Sequence, residues 1–554
     1  MIASRSYILC GTFSILFILP LGVNAAPPHV YFTDATAEAG IHFSHTNGAR
    51  GDYHFPETLG SGGAFIDYDS DGDLDLYLVN SGNWPNSQLP QSATSVFYEN
   101  NGDGTFRDVT STTGAKNAGN YGHGVACADY DNDGDTDLYI TNFGRNVLYR
   151  NNGDGTFTDV TKAAGVGDPL WSSSATFVDS DRDGYLDLYV VNYVRYSLEA
   201  LYPPCTDNGV RGYCHPKYYQ GAPDRLYRNN GDGTFTDVTK ASGINDPGGP
   251  FHGKGLGVVA ADFDKDGWPD LYVANDDTPN YLFYNKGDGT FAEIGVLAGC
   301  AYSVDGIAQG GMGVDVGDYN GNGFLDIFVT NFSYETNTLY QNNGDGTFTD
   351  VSYKAHVGEE SYLLLGFGTG FLDYDNDGHL DLFVANGHIF EHVEQMTDMI
   401  TYPQPNQLFR NEGNNTFTET AFAPIQRVSR GAIFGDYDND GDVDIVTTNL
   451  NGKARLWRNE WGNRRNWLRI KTVGTTSNRD GIGAQVTVTA GDHTQLREVR
   501  TGYSYLCSND PRVFFGMSDQ DTVASVKIRW PSGIVQNVEN VPVNQEIVIT
   551  EGEQ

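Results

Sequence analysis

Seven times the chain repeats Asp-x-Asp-x-Asp-Gly-x-x-Asp or a close variant, and these carboxylates are the residues best spaced for chemistry. The first loop sets Asp67, Asp69, Asp71 and Asp75 at positions 1, 3, 5 and 9, with the Asp73 carbonyl at position 7. The second holds Asp129, Asp131, Asp133 and Asp137 with Asp135, and the third Asp179, Asp181, Asp183 and Asp187 with Tyr185. The fourth holds Asp262, Asp264, Asp266 and Asp270 with Trp268, and the sixth Asp373, Asp375, Asp377 and Asp381 with His379. The seventh holds Asp436, Asp438, Asp440 and Asp444 with Asp442. The fifth has only two carboxylates, Asp318 and Asp326, beside Asn320, Asn322 and the Phe324 carbonyl. A tight loop with alternate side chains turned inward supplies the six to eight oxygens that Ca²⁺ requires. Asp and Gly also favour plain turns. Three or four carboxylates about 4 Å apart, however, repel by on the order of a few kcal/mol each, so a cation is expected to balance them. Up to seven Ca²⁺ follow, with the fifth site the weakest because its ligand charge is lowest. Position 12 is apolar or Thr (Leu78, Ile140, Val190, Val273, Val329, Val384, Thr447), not the bidentate Glu of an EF-hand, and strand-like sequence follows each loop. Where position 7 is Asp73, Asp135 or Asp442, the extra carboxylate is expected outside the ligand shell.

The elements that must carry these loops are β hairpins. The loops recur at intervals of 62, 50, 83, 56, 55 and 63 residues, near the period of a four-stranded propeller blade. Each of the first six is followed by a Gly-Asp-Gly-Thr-Phe turn (Gly102–Phe106, Gly153–Phe157, Gly231–Phe235, Gly287–Phe291, Gly344–Phe348), degenerate at Gly413–Phe417. Such Asn-Gly and Asp-Gly steps supply the positive φ of tight turns. The seventh unit lacks this tail, and the missing half stands at the other end of the chain, where Phe32–Gly40 repeats the pattern of Phe157–Gly165. An N-terminal strand completing the last blade closes a ring and protects two sheet edges. The expected fold class is therefore all-β, a seven-bladed β-propeller over residues 26–462 followed by a small antiparallel β domain, a sandwich, over 463–554; an open solenoid is the alternative. The 83-residue interval contains an insertion at 193–223, and 387–407 is a second long excursion. Long loops on one rim of a rigid scaffold are where specificity resides.

Composition narrows the class. The chain has 554 residues with 34 Lys+Arg against 72 Asp+Glu, a formal charge of −38, 39% hydrophobic and 13% aromatic residues. A polyanion repels nucleic acid and anionic membranes, and so many aromatics exclude a disordered acidic tail. From Arg464 onward 10 basic and 10 acidic residues balance, so the acidity belongs to the repeats. Seven bound Ca²⁺ would bring the formal charge to −24, making much of the acidity ligand rather than solubilising surface. Residues 1–25 resemble a secretory signal: Arg5, an apolar run from Ile8 to Val23 broken by Pro20, and small residues before a cut after Ala25. A soluble, exported mature chain, extracellular or periplasmic and without an integral membrane segment, is expected. In an oxidising compartment Cys205 and Cys214 are the expected disulfide, leaving Cys127, Cys300 and Cys507.

In the tail, Gln485–Thr489 and Val526–Trp530 alternate apolar and polar residues between turns. Its Arg497, Arg500, Arg512, Lys527 and Arg529 either dock on the acidic propeller, bind an acidic ligand, or lie on solvated strand faces. No catalytic set stands out: Gly502–Leu506 lacks the second Gly of a nucleophile elbow, and neither a phosphate loop nor a zinc helix of His-Glu-x-x-His type is present. Polar residues on strands entering the loops, His123, Ser173, Lys254 and Arg430, with Glu57, His252 and His388 nearby, are the candidates for a channel pocket. Arg50, Gly51 and Asp52 spell an integrin-recognition tripeptide, a match short enough to arise by chance.

The loops, with their Gly-rich leading strands (Gly62–Asp67, Gly366–Phe371), resemble the FG-GAP (VCBS) repeats of the integrin α-chain propeller. The longer context, Pro56–Gly60, Met312–Asp315 and Ala385–His388, resembles bacterial relatives of cartilage acidic protein. The tail (Asn466–Ile470, Ser477–Ala484, Trp530–Gly533) is similar to the ASPIC/UnbV domain that ends those proteins. The resemblance implies a secreted calcium-binding propeller with a C-terminal β domain and no established catalytic activity; seven metal loops without a catalytic set then lead to a non-enzymatic binding or adhesion module for a protein or glycan. Two alternatives stay open: a polysaccharide lyase or hydrolase acting in the channel, through Lys254 or His252, and a non-catalytic subunit of a larger exported assembly.

Overall fold

A computed structural model of the chain describes residues 31–82, 84, 93–200, 202, 204–207, 209–244 and 253–553. The segment read as a signal, and His252, lie outside the described residues. Seven four-stranded antiparallel sheets form the body. Blade 1 runs Gly63–Ile66, Asp75–Leu78, Val96–Asn100 and Phe106–Asp108, and blades 2 to 6 repeat this meander in chain order. The first strand of each blade packs on the first strands of its two neighbours, blade 7 against blade 1 included, so the ring closes. Blade 7 takes Ser429–Gly435, Asp444–Asn449 and Arg455–Asn459 from the end of the repeats and Phe32–Asp34 from the beginning. The register sets Phe32 opposite Asn459 and Asp34 opposite Trp457. This is the split blade read from the half-repeats.

Phe32 is buried beside Phe422 and Trp457, so the closing strand is held by packing as well as by its ladder. The inner strands are rich in Gly, and the positions on the axis show why. A Cβ on Gly62 would sit 1.9 Å from the Leu506 carbonyl oxygen, and one on Gly431 2.7 Å from Cys507 Sγ.

The C-terminal domain is a sandwich of two sheets. One is antiparallel, in the order His493–Glu498, Gln485–Ala490, Thr522–Arg529, Val535–Pro542. The other places Asn466–Val473 between Val513–Ser518 and Gln545–Thr550. It departs from the wholly antiparallel expectation, because Asn466–Val473 pairs in parallel with Gln545–Thr550. Parallel neighbours need a long crossover, and the first and last strands of the domain have all of its sequence between them to supply one. Leu468, Val486, Phe515, Ile528 and Trp530 share one core, continuous with Tyr130 and Phe177 of the propeller.

Closure by packing has a measurable consequence. Phe32→Ala is expected to lower unfolding free energy by about 3 kcal/mol, read from the denaturant midpoint, since it empties a site between blades 6 and 7. An unchanged midpoint would mean that the N-terminal strand does not hold the ring shut.

Candidate metal loops and the two faces of the propeller

Each Asp loop joins the first and second strands of a blade, so all seven gather at one mouth of the channel. Within a loop the carboxylates first organise backbone. In loop 2, Asp129 accepts the Asp133 N–H at 3.0 Å and the Gly134 N–H at 2.8 Å, and Asp133 accepts the Asp135 N–H at 3.0 Å. The position-9 carboxylate has a different task. Asp75 Oδ2 accepts the Tyr68 N–H at 3.1 Å while its Oδ1 accepts the Asn100 N–H of the third strand at 2.8 Å. The Asn100 amide then donates to the Leu74 carbonyl in its own loop and to the Tyr437 carbonyl of the preceding blade. The same pair recurs in every blade as Asp137 with Asn151, Asp187 with Asn229, Asp270 with Asn285, Asp326 with Asn342, Asp381 with Asn411 and Asp444 with Asn459. All seven bonds to the carboxylate span 2.7–2.8 Å. This Asn was visible only as part of an Asn-rich step before each turn; its regular place one strand after each loop was the available signal.

The loops fit a hard cation. Among the described residues, Asp67, Asp69 and Asp71 bring one carboxylate oxygen each within 4.8 Å of one another, as do Asp129, Asp131 and Asp137; Asp179, Asp181 and Asp183; Asp262, Asp264 and Asp266; and Asp373, Asp375 and Asp381. Buried oxygens of Asp67, Asp131, Asp181, Asp262, Asp326 and Asp438 meet no hydrogen-bond donor. An oxygen-only donor set with such orphans is what Ca²⁺ prefers, and the residues at positions 1, 3, 5 and 9, with the position-7 carbonyl, are those that would hold it. Burial first, then mutual repulsion, pushes these carboxyls up: Asp75 to about 8, and Asp129, Asp179 and Asp436 to about 7. The fifth loop keeps the backbone pattern with amides, Asn322 Oδ1 accepting the Phe324 N–H at 2.8 Å and Asn320 Oδ1 the Asn322 N–H at 3.0 Å. Position-7 side chains lie over the Gly of the following turn. A Cβ on Gly153 would meet Asp135 at 2.5 Å, on Gly231 Tyr185 at 3.0 Å, on Gly287 Trp268 at 2.7 Å and on Gly413 His379 at 2.9 Å. Asp73 and Asp442 sit likewise beside Gly102 and Gly462.

The C-terminal domain covers this loop face. Arg469 pairs with Asp436 at 3.0 Å, Arg529 with Asp262 at 3.3 Å and Lys471 with Asp67 at 3.8 Å, while Arg512 donates to the Gly72 carbonyl at 3.1 Å. Asp480 accepts the Asp129 N–H at 3.0 Å. Arg500 reaches the inner strand of blade 5, pairing with Asp315 at 2.8 Å. Most of the basic residues singled out in the tail therefore dock on the propeller; Lys527 stays exposed. Between Val499 and Val513 the chain enters the channel. Ser504 exchanges backbone hydrogen bonds with Val314, the Val125 N–H donates to the Leu506 carbonyl, the Ser508 N–H to the Gly63 carbonyl, and the Tyr505 hydroxyl to the Leu59 carbonyl. The channel is filled by protein.

That filling decides where the polar channel candidates lie. His123 is buried between the Gly60 carbonyl and the Trp171 indole N–H, each about its nitrogens at 3.0 and 3.1 Å. Ser173 donates to the Gly255 carbonyl, and Arg430, buried over the Phe367 ring, donates to the carbonyls of Thr58, Gly387 and Ser429. Glu57 is buried under Tyr213 and Trp84, which donate to it at 3.0 and 3.2 Å; burial raises its carboxyl to about 7. These residues spend their polar groups on neighbouring backbone carbonyls and aromatic side chains rather than standing around open space.

The opposite face, where second and third strands are joined, carries both long excursions. The 193–223 insertion is stapled by the Cys205–Cys214 disulfide, while Cys127, Cys300 and Cys507 are free and buried. Together with 387–407 it walls a cavity of about 1020 Å³ whose floor includes Leu256, Met312, Phe367 and the plug tip Tyr505. His388 lines it, and Lys254 stands at its edge, 3.9 Å from Asp277. Asp276, Asp277 and Glu335 also line it, and no repeat pattern marks them in the sequence.

Comparison with known proteins agrees with this architecture. A model of the FG-GAP-like repeat matches residues 67–140, 129–190, 218–273, 262–329, 318–384 and 373–447. The chain belongs to this family. A model of the ASPIC and UnbV domain matches residues 474–554 behind the FG-GAP propeller. Cartilage acidic protein 1 of Xenopus tropicalis is 29% identical over 296 residues, 50% of this chain and 42% of that protein; the Homo sapiens protein is 27% identical over 332 residues, 56% and 46%. The chain thus spans less than half the length of these relatives. Among solved structures, YCF48 bound to a peptide aligns over 79% of this chain and 99% of its own at 8% identity and a TM-score of 0.42. An Agrocybe aegerita lectin that recognises non-reducing terminal N-acetylglucosamine aligns over 69% and 83% at 17% identity and a TM-score of 0.36. An FG-GAP propeller with an ASPIC/UnbV domain suggests a binding module. Among the described residues no helix is long and apolar enough to cross a membrane.

Two measurements test the loops. Asn151→Ala removes the side chain that ties blade 2 to blade 1 and should cost roughly 2 kcal/mol or more; Asn152→Ala, on the exposed turn beside it, should cost close to nothing. Carboxyls raised in the folded, calcium-free chain keep protons that the unfolded chain releases, so their contribution to stability is present at acid pH and is lost as pH rises through their folded values. Ca²⁺ requires the ionised form. The gain in Tm on adding Ca²⁺ over EDTA should therefore be larger at about pH 8 than at about pH 5, and a gain independent of pH would contradict the assignment.

Proposed function

We propose that the chain is an exported, calcium-loaded, non-enzymatic binding module that takes a protein or glycan on the face opposite its Asp loops. The observation that carries this reading is the asymmetry of the faces. The loop face and the channel are occupied by the C-terminal domain and its plug, whereas the other face offers a deep cavity walled by a disulfide-stapled insertion. Concave, aromatic-lined sites with a few polar groups are the usual form of a ligand site. Export is supported by that disulfide and by the signal-like sequence at residues 1–25. Ca²⁺ in the loops would hold the hairpins rigid and offset repulsion among the carboxylates.

The test is a screen of the calcium-loaded full chain against arrayed peptides and glycans, repeated in EDTA and with Ile389→Trp, which adds bulk to the cavity wall. A partner retained by the native chain and lost in both other conditions is the expected result. Binding that survives Ile389→Trp unchanged places the partner elsewhere, and release of unsaturated or reducing sugar ends from an acidic polysaccharide overturns the non-enzymatic reading.

A further inference from the structure

One wall of the cavity is chemically unlike the rest. Asp276, Asp277 and Glu335 bring three carboxylates to it, against two cations, the buried Lys254, which stands 3.9 Å from Asp277, and the exposed Lys217. His215, 3.6 Å from the same carboxylate, is driven toward its neutral form by burial. Asp276 and Glu335 converge on Gly310: a Cβ placed there would lie 3.2 Å from Asp276 Oδ1 and 3.6 Å from Glu335 Oε2. Both are held in place, Asp276 by the Tyr193 hydroxyl and Glu335 by the Gly310 N–H at 2.7 Å. Ser333, two residues before Glu335, also lines the cavity; it is only 4% exposed and its hydroxyl meets no partner. A buried hydroxyl left unbonded is costly, and native structures rarely leave one without a reason. Most of the remaining lining is apolar or aromatic, including Met312, Phe332, Phe367 and Tyr505, with Lys217, His388 and three threonines among it.

We propose that this cavity binds a small organic amine, with its protonated nitrogen between Asp276, Glu335 and Ser333 and its aliphatic or aromatic body against the apolar floor. Net negative charge on the wall selects a cation over an anion, and a nitrogen carrying several N–H groups satisfies two carboxylates and a hydroxyl at once. A point-like metal ion would leave the apolar floor unused. The cavity lies at the upper end of the size range of small-molecule sites, and its walls are concave rather than flat, which favours a whole small molecule over the edge of a macromolecule. The strongly acidic propeller adds long-range attraction for a cation. The proposal goes beyond a protein or glycan partner and does not require one.

Calorimetry on the calcium-loaded full chain, with tyramine, phenethylamine, cadaverine and agmatine as probes and tyrosol as the neutral counterpart of tyramine, tests it. At least one amine should bind one to a chain, with tyramine at least tenfold tighter than tyrosol. Asp276→Asn and Glu335→Gln should each weaken amine binding at least tenfold, leave tyrosol binding unchanged, and leave the melting temperature and its rise with Ca²⁺ unchanged. Asp276→Asn keeps an acceptor for Tyr193; should it still fail to fold, Glu335→Gln and Ser333→Ala carry the test. Equal binding of tyramine and tyrosol overturns the proposal, as does amine binding that neither variant moves. Absence of amine binding while a glycan or peptide is retained removes the amine and leaves the binding-module reading standing. Failure of every ligand removes both.

Discussion

Everything in this ring depends on one buried bond, the position-9 carboxylate of each loop accepting the backbone N–H of the Asn that ends the third strand. In loops one, two, three, six and seven that carboxylate also takes an N–H from its own loop, and in every blade the Asn side chain reaches a carbonyl of the preceding blade at 2.7–2.9 Å. Loop, blade and neighbouring blade are therefore joined by the same two side chains. In a buried, low-dielectric setting such bonds are strong, and each partner left alone would be expensive. The bond also explains why loop five can lose two carboxylates and keep its shape: Asp326 and Asn342 remain.

The same arrangement creates an electrostatic problem that the rest of the molecule answers. Seven acidic loops gather at one mouth of the channel, and burial already pushes their carboxyls upward. The C-terminal domain meets that mouth with Arg469, Arg529, Lys471 and Arg512, placed against loops seven, four and one. A salt bridge as buried as Arg469 with Asp436 adds little net stability but makes the loss of either partner costly, which fixes how the domain sits. Since the plug between Val499 and Val513 also fills the axis, one face is committed to internal contacts and the other is left concave.

Repetition made most of the ring readable. The Asp loops, the Gly-Asp-Gly-Thr-Phe turns and the half-repeat at Phe32 are local signals multiplied by seven, and the pairing of Phe32 with Asn459 follows from them. Cys205 and Cys214, nine residues apart, could be paired because few alternatives existed. The plug could not be read. Gly502–Leu506 looks like any strand-and-turn segment, and its partners, Val314, Val125 and Gly63, stand 190 or more residues earlier. For the same reason His123 and Arg430 suggested channel chemistry, although the structure spends their hydrogen-bonding capacity on neighbouring carbonyls and an indole.

By itself the sequence determined what is local and periodic: hairpins, loops with calcium-like spacing, the number of blades and the strand that closes them. It also fixed a charge imbalance confined to the repeats. Tertiary structure decided what depends on surfaces meeting across the ring: that the tail docks on the acidic mouth, that its plug closes the axis, and that both long insertions rise on the other side around Asp276, Glu335 and Ser333. The physical reason is that a repeat encodes its own turn and the contact with the next copy, whereas a cavity is made by side chains from several blades, none of which needs a pattern along the chain to face the others.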